Sequence, residues 1–326
     1  MKKCIVFVLL FVLYVLALPS YLPPVENSYV TATFLEFRST GSVPHFHSGT
    51  DFSTFLKEGI SVKAAENGYL VRLEIDEDSI YGMTVVLQHD DGYRTLYAHL
   101  SKFAEKTDKI VEMLTTEFGK QRIVVEFQSD DIRFSKGENI GYSGKTGEAS
   151  QAHAHFEVRD EEEKNIYDPL DFVDKSLLRP VQMGIMIKNI VIDGKEYQYQ
   201  AGKVYQYSGD FPKIAVETYT ELAKNLLGVK EIKMYFSDDL VYHIILDKLP
   251  MECWEKPYDL YDEKTMMTSL IYRGYYKLYT LDDLPYVKVN KLNSLSNYDS
   301  GQYLVTIEIK DALGNVGMFS LKLVRR

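Results

Sequence analysis

The sequence predicts a mainly β protein in two parts, on three observations. Its 326 residues are enough for two domains with separate cores. Twenty-five tyrosines and sixteen phenylalanines favour pleated over helical structure. Short apolar stretches broken by glycine turns, such as Gly82 and Asp91-Gly92, recur along the chain. Apolar residues at 45% and charged residues at 26% are values of a folded chain rather than a disordered one.

Taken in order, Lys2 and Lys3 precede an apolar run over residues 4–18, and Pro19-Ser20 ends it. A charged start, an apolar stretch and small or helix-breaking residues are the layout of a secretory signal, so residues 1–20 are expected to be removed and the chain exported to the periplasm, cell envelope or medium. The run is shorter than the roughly 20 residues of a bilayer-spanning helix. A retained anchor is the alternative, because the end of the run is not a clean A-x-A. Cys4 lies inside the signal, which leaves Cys253 without a partner for an internal disulfide. Residues 21–178 form the first predicted domain, with strands at 60–64, 68–75, 83–88 and 95–99. An insertion over about 103–134 opens with an amphipathic helix carrying Ile110, Met113 and Leu114, and the strand 122–127 follows it. A glycine-rich turn over 137–147 then leads into a strand at 153–158. Residues 179–326 read as an antiparallel, immunoglobulin-like β-sandwich, by strand count and spacing. Its strands are expected at 181–193, 213–219, 229–236 and 240–246, with a short helix within 261–276 and a closing hairpin of 302–310 with 318–324.

A net charge of −10 gives no electrostatic reason to expect nucleic acid or an anionic lipid surface as partner. The residues that stand out are metal-binding types. His47 and Asp51 form His-x-x-x-Asp, His99 ends an apolar strand, and His153 and His155 form His-x-His. On a strand, residues two apart share a face with α-carbons about 6.6 Å apart, so both imidazoles look into one groove, where one can ligate and the other stand a water away. Two histidines and one carboxylate meet the three-ligand requirement of a catalytic zinc that keeps its fourth position for water. Each motif alone is weak, and either doublet also occurs by chance.

The order and the surrounding residues carry more. The segment from Arg38 to Phe172 resembles the lysostaphin/LytM-type zinc endopeptidases, of the duplicated hybrid motif fold. The matching stretches are His47-Ser-Gly-Thr-Asp51, Val62-Lys-Ala-Ala65, Tyr81-Gly82, Leu96-Tyr-Ala-His-Leu100, Lys136-Gly137, Ile140-Gly-Tyr-Ser-Gly-Lys-Thr-Gly147, His153-x-His155-Phe-Glu-Val-Arg159 and Asp168-Pro169. The resemblance implies a first domain of antiparallel LytM-like sheet, with zinc held by His47, Asp51 and His155. It assigns His99 and His153 to orienting the water and stabilising the tetrahedral intermediate. It further implies a zinc endopeptidase whose partner is the peptide of peptidoglycan, without membrane insertion once the signal is gone. Gln151-Ala152 and Ala154 stand where the family usually has Gly-Pro and a leucine, which touches the loop behind the site rather than the ligands. The rival reading is a non-catalytic wall-binding or hydrolase-activating module that keeps the metal site.

Other residues read as ordinary. His45 is disfavoured as a ligand by the spacing to Asp51, and His89 and His243 read as structural histidines. Gly144-Lys145-Thr146 lacks the earlier glycine of a phosphate loop, since position 139 is Asn139. Asp168 is expected to shape the turn before Pro169. Arg38 is expected either to bind a substrate carboxylate or to form a surface ion pair. Glu157 is read as facing away from His155, which sets it aside as a general base.

Overall fold

The structure is a computed structural model and describes residues 20–39, 43–76, 79–119, 122–128, 130–181, 183–223, 225–268, 271–298 and 301–326. The predicted signal, apart from Ser20, lies outside the described residues. Among the described residues no helix is long and apolar enough to cross a membrane.

Alternation of apolar and polar residues builds the first sheet. Its main path runs Val30–Ala32, Thr50–Ser53, His153–Asp160, Tyr93–Phe103, Met83–His89, Gly68–Ile75 and Arg133–Phe134, with antiparallel neighbours throughout. One face carries Phe52, Leu70, Leu73, Val85, Leu87, Tyr97, Phe156 and Val158 into a shared apolar core. The opposite face carries a small apolar cluster of Val86, Leu96 and Ala98, and the histidines gather on that side.

The expected helix forms over Glu105–Phe118, with Glu105 and Asp108 in its first turn, where acidic side chains suit the helix dipole. Its apolar residues stay near the surface. Only Thr107 is buried among its residues, and Met113 is 63% exposed. The strand after it, Ile123–Glu126, pairs with Gly68–Ile75 and so extends the sheet.

Further along, two sheets enclose a second core. One is built on Met183–Ile192 and Ile214–Leu222, the other on Val229–Phe236, Asp239–Ile245, Gln302–Asp311 and Val316–Arg325. Ile190, Ile214 and Val216 from the first meet Ile232, Met234, Val305 and Ile307 from the second. The pairing is antiparallel except where Val204–Tyr207 runs parallel to Val316–Arg325. The helix expected within 261–276 is absent among the described residues. That stretch instead forms the short strands Met266–Met267, Tyr272–Arg273 and Tyr275–Lys277, the last pairing with Ile214–Leu222. Tyrosines gain more from burial in a sheet than from helical propensity, and Tyr261, Tyr275 and Tyr276 are all buried.

The two cores are joined by chain from the wrong side of the predicted boundary. Phe34, Leu35, Phe37 and Phe46 belong to the second core, although they precede the first sheet's histidine strand. Burial of each is worth about 1.5–3 kcal/mol as an upper bound. The strand Asn165–Tyr167 also pairs with Lys248–Pro250, and Lys230 Nζ donates to both Asp168 and Asp171 at 2.6 Å. Residues 45–47, which lead into the site, are therefore fixed from both sides.

Candidate metal centre

Strand register assembles the site. Asp51 lies directly across from His155 in one antiparallel pair, and Ala98 lies across from His155 in the next. His99 follows Ala98 with φ of 58°, a left-handed conformation that interrupts the alternation and turns its ring to the site. Close approach is needed beneath His155. A Cβ on Gly49 would sit 2.4 Å from the Phe156 carbonyl oxygen and 3.0 Å from the His155 ring, so only glycine fits between His47 and Asp51 at that point.

The donor atoms converge. His47 Nε2 is 3.1 Å from Asp51 Oδ1 and 3.1 Å from His155 Nδ1, and His155 Nδ1 is 2.9 Å from Asp51 Oδ1. Three ligands on a tetrahedral zinc with bonds of about 2.0–2.1 Å stand roughly 3.3 Å apart, so the triangle fits such an ion. Orientation of the rings fits as well. His47 Nδ1 donates to the Thr33 carbonyl at 2.8 Å, and His155 Nε2 donates to Glu157 Oε1 at 2.9 Å. Each contact fixes the tautomer that leaves the other nitrogen's lone pair for the ion.

Electrostatics point the same way. Burial works against ionisation of Asp51, yet the imidazoles of His47 and His153 hold its carboxyl well below the usual range. Burial likewise disfavours a proton on His155, but the hydrogen bonds that its ring donates to Asp51 and Glu157 push it up to about 9. A cation bound at His155 Nδ1 would compete with a proton there. Burial lowers His47 and takes His99 down to about 3, so His99 is neutral at physiological pH.

His99 and His153 stand beside the triangle with ring centroids 4.8 Å apart. In each, Nδ1 donates to a backbone carbonyl, of Thr146 at 2.9 Å and of Gln151 at 2.8 Å. Nε2 of a neutral ring so held is a free acceptor. His153 Nε2 lies 3.6 Å from Asp51 Oδ1. All five residues singled out in the sequence therefore meet in one place, three in a triangle that could hold a metal ion and two beside it.

Glu157 corrects the sequence reading. Residues two apart on a strand share a face, so Glu157 points the same way as His155. It is fully buried, and burial alone would raise its pKa. The Arg159 charge and the His155 contact nevertheless keep it ionised. It accepts from His155, from Ser48 Oγ at 2.6 Å and from Arg159 Nε at 2.6 Å. All its lone pairs face donors, which suits it to holding His155 and not to taking a proton from substrate. Alternation in the sequence was signal enough to find it. Thr33 and Thr146 act through backbone carbonyls and leave no mark on residue type.

The remaining candidates fall as follows. His45 donates to the Val43 carbonyl and stacks on Trp254, outside the triangle. His89 is buried between the Asn67 carbonyl and Thr95, and His243 contacts Glu231 at 2.8 Å. Arg38 pairs with Glu36 at 3.0 Å and reaches within 4.0 Å of Asp51, at the edge of the cleft. Asp168 caps the 3-10 turn Pro169–Asp171 and binds Lys230. Lys145 forms a 3.4 Å ion pair with Glu58.

Part of the chain is similar to known proteins. The DD-carboxypeptidase/endopeptidase Mpg of Neisseria meningitidis is 27% identical over 113 residues, 35% of this chain and 20% of the relative. Two Vibrio cholerae proteins also match: peptidoglycan DD-endopeptidase ShyA, 30% identical over 112 residues (34% of this chain, 20% of the relative), and peptidoglycan DD-endopeptidase ShyB, 28% identical over 140 residues (41% and 26%). The chain spans about a fifth to a quarter of the length of these curated relatives. Among solved structures, a zinc containing peptidase from Vibrio cholerae is 25% identical with a TM-score of 0.32, covering 49% of this chain and 40% of that one. The catalytic domain of lysostaphin from Staphylococcus simulans is 22% identical with a TM-score of 0.28, covering 48% and 87%. Residues 45–116 match the model of peptidase family M23, a stretch that holds His47, Asp51 and His99, while His153 and His155 lie beyond it. Over residues 45–116 the chain is thus similar to peptidase family M23.

Proposed function

We propose that the chain is an exported zinc endopeptidase that hydrolyses peptide bonds in peptidoglycan stem peptides or cross-links. The observation that carries this is the convergence of His47, Asp51 and His155 on one point, with His99 and His153 beside it. Peptidoglycan is the substrate class named for the relatives ShyA and ShyB, and their kind of substrate supports a periplasmic or extracellular location.

His47 through Nε2, His155 through Nδ1 and Asp51 through Oδ1 would hold the ion. When bound, zinc lowers the pKa of a water toward about 7 and polarises the scissile carbonyl. The chain's own residues do the rest. Nε2 of His153, left free by a backbone bond at Nδ1, would accept a proton from the attacking water and return it to the leaving amine, while His99, kept neutral by burial, would orient that water by accepting a hydrogen bond at Nε2. Thr33 and Glu157 keep the ligand rings from turning. A cleft of about 230 Å³ is smaller than the roughly 300–1,000 Å³ of pockets for drug-sized ligands, so it admits an extended backbone with small side chains. In the same reading the chain divides into a signal over 1–20, the peptidase domain over 21–178 and an immunoglobulin-like sandwich over 179–326. The two-sheet core supports the last part, and Phe34, Leu35, Phe37 and Phe46 reach across to it.

The test is mass spectrometry of fragments released from purified sacculi by the zinc-loaded full chain, with a chelator-treated sample beside it. Release of peptide-cleaved fragments by the zinc-loaded sample alone is the expected result. Glycan cleavage, or release unaffected by the chelator, overturns the reading.

A further inference from the structure

The cleft beside the histidines has a wall that does not come from the histidine-bearing sheet. Besides Arg38, Tyr81 and Glu148, it is lined by Trp254 and Met267, both from the C-terminal half. Trp254 is the one tryptophan in the sequence. Its backbone carbonyl accepts from the Phe46 N–H at 3.0 Å, and its ring stacks on His45 with centroids 4.4 Å apart. Phe46 and His45 immediately precede the ligand His47, so the indole is tied to the chain segment that delivers the metal ligand. The indole N–H finds no acceptor among the described residues, which leaves stacking and apolar contact to set the ring's position. The residue is only partly buried, and its accessible part faces the cleft. Met267 is held at the same rim by Ser39 Oγ, which donates to its carbonyl at 2.9 Å.

We propose that Trp254, with Met267 on the same cleft, is a specificity-determining wall. It packs on the small aliphatic side chain of the substrate residue next to the scissile bond. This rests on the endopeptidase reading and deepens it, because it makes the C-terminal half a fixed part of the active site. A large flat ring held at both backbone and face loses little freedom when a substrate covers it, which is why tryptophan contributes disproportionately where a chain is gripped. A cleft of about 230 Å³ has room for a short alkyl side chain against the indole.

The experiment uses the zinc-loaded full chain and cross-linked muropeptides released from sacculi by a muramidase. Because Trp254 is the only tryptophan, its emission reports occupancy of the cleft without any turnover. A saturable emission change on muropeptide addition is expected. Trp254→Ala is expected to raise KM about tenfold or more, with kcat and zinc content unchanged and Trp254→Phe restoring most of the affinity. Emission that does not respond at muropeptide concentrations that saturate turnover overturns the proposal, as does an unchanged KM in Trp254→Ala. If Trp254→Ala fails to fold, the emission titration and the Trp254→Phe KM decide. Saturation with a modest KM rise supports the wall, and neither response overturns it. A wild-type chain that cleaves nothing sinks the endopeptidase reading, yet a saturable emission change would still establish the wall as a peptide-binding surface, and an unresponsive one would remove it.

Discussion

The two halves treat their interiors differently. Between its sheet and surface loops the first half buries His47, His99, His155, Glu157 and Arg159, and joins all but His99 through Asp51 in one hydrogen-bond network. The second half buries isoleucine, valine and tyrosine between two sheets and keeps most charge at its rim, as in the His243–Glu231 pair. Both halves place a histidine within 3 Å of a glutamate, but His155 also has a second carboxylate at 2.9 Å and another imidazole at 3.1 Å. A polar interior of the first kind gains little net stability, since desolvation offsets much of the attraction, but it fixes side chains. An apolar interior of the second kind supplies stability without chemistry. Through Phe34, Leu35, Phe37 and Phe46, the second kind of core anchors the first kind of site.

The largest expected effect breaks the site alone. His155→Ala is expected to lose zinc and to lower peptide hydrolysis by about a thousandfold or more, the scale of losing metal-assisted catalysis. Metal content by elemental analysis and release from sacculi check it. Full zinc occupancy in this variant would end the ligand assignment. Next comes Phe46→Ala, which removes a fully buried ring from the second core directly beside His47. A loss of about 3–5 kcal/mol is expected in urea unfolding, together with weaker zinc binding. Unchanged zinc affinity would show the two interiors to be uncoupled. Smaller again, Glu157→Gln keeps the shape but removes the charge that holds His155, with an expected 10–100-fold loss of zinc affinity by competition with a chelator. An unaltered affinity would reduce Glu157 to a structural acid serving Arg159.

How far these features could be read in advance depends on where their signal resides. Strands such as Gly68–Ile75 and Val229–Phe236 were legible because side-chain alternation is written in the residues themselves. The site was legible because His47, Asp51 and His155 are of few types with one shared chemistry, and the i, i+2 spacing of His153 and His155 puts both on one face. Glu157 obeys that same rule, and applying it consistently brings Glu157 to His155. The stretch 261–276 misled because its charges and apolar residues fit a helical period, whereas pairing with Ile214–Leu222 settles its form, and pairing partners far along the chain leave no local pattern. Trp254 and Met267 were illegible for that reason too. Nothing near them in sequence points to a histidine cluster that reaches them only through the fold.

The mildest test lies at the back of the first half's network. Glu163 accepts from Arg72 at 2.7 Å, Arg94 at 2.9 Å and Arg159 at 2.6 Å, and Arg159 in turn holds Glu157. Burial would raise its carboxyl, but the Arg72 hydrogen bond and the Arg159 and Arg72 charges bring it down to about 2. Because the folded value lies below the ordinary 4.5, the carboxylate's contribution is complete above about 4.5 and disappears as pH falls through about 2. Glu163→Gln is therefore expected to cost about 1–2 kcal/mol at pH 7, by urea midpoints, with the difference from the parent chain shrinking steadily below pH 4.5. Three arginines gathered on one acid have no other common partner among the described residues, so the variant should also raise the salt sensitivity of unfolding. A pH-independent difference would mean that Glu163 acts by shape, and that the first half's interior owes its order to close contact just as the second half's does.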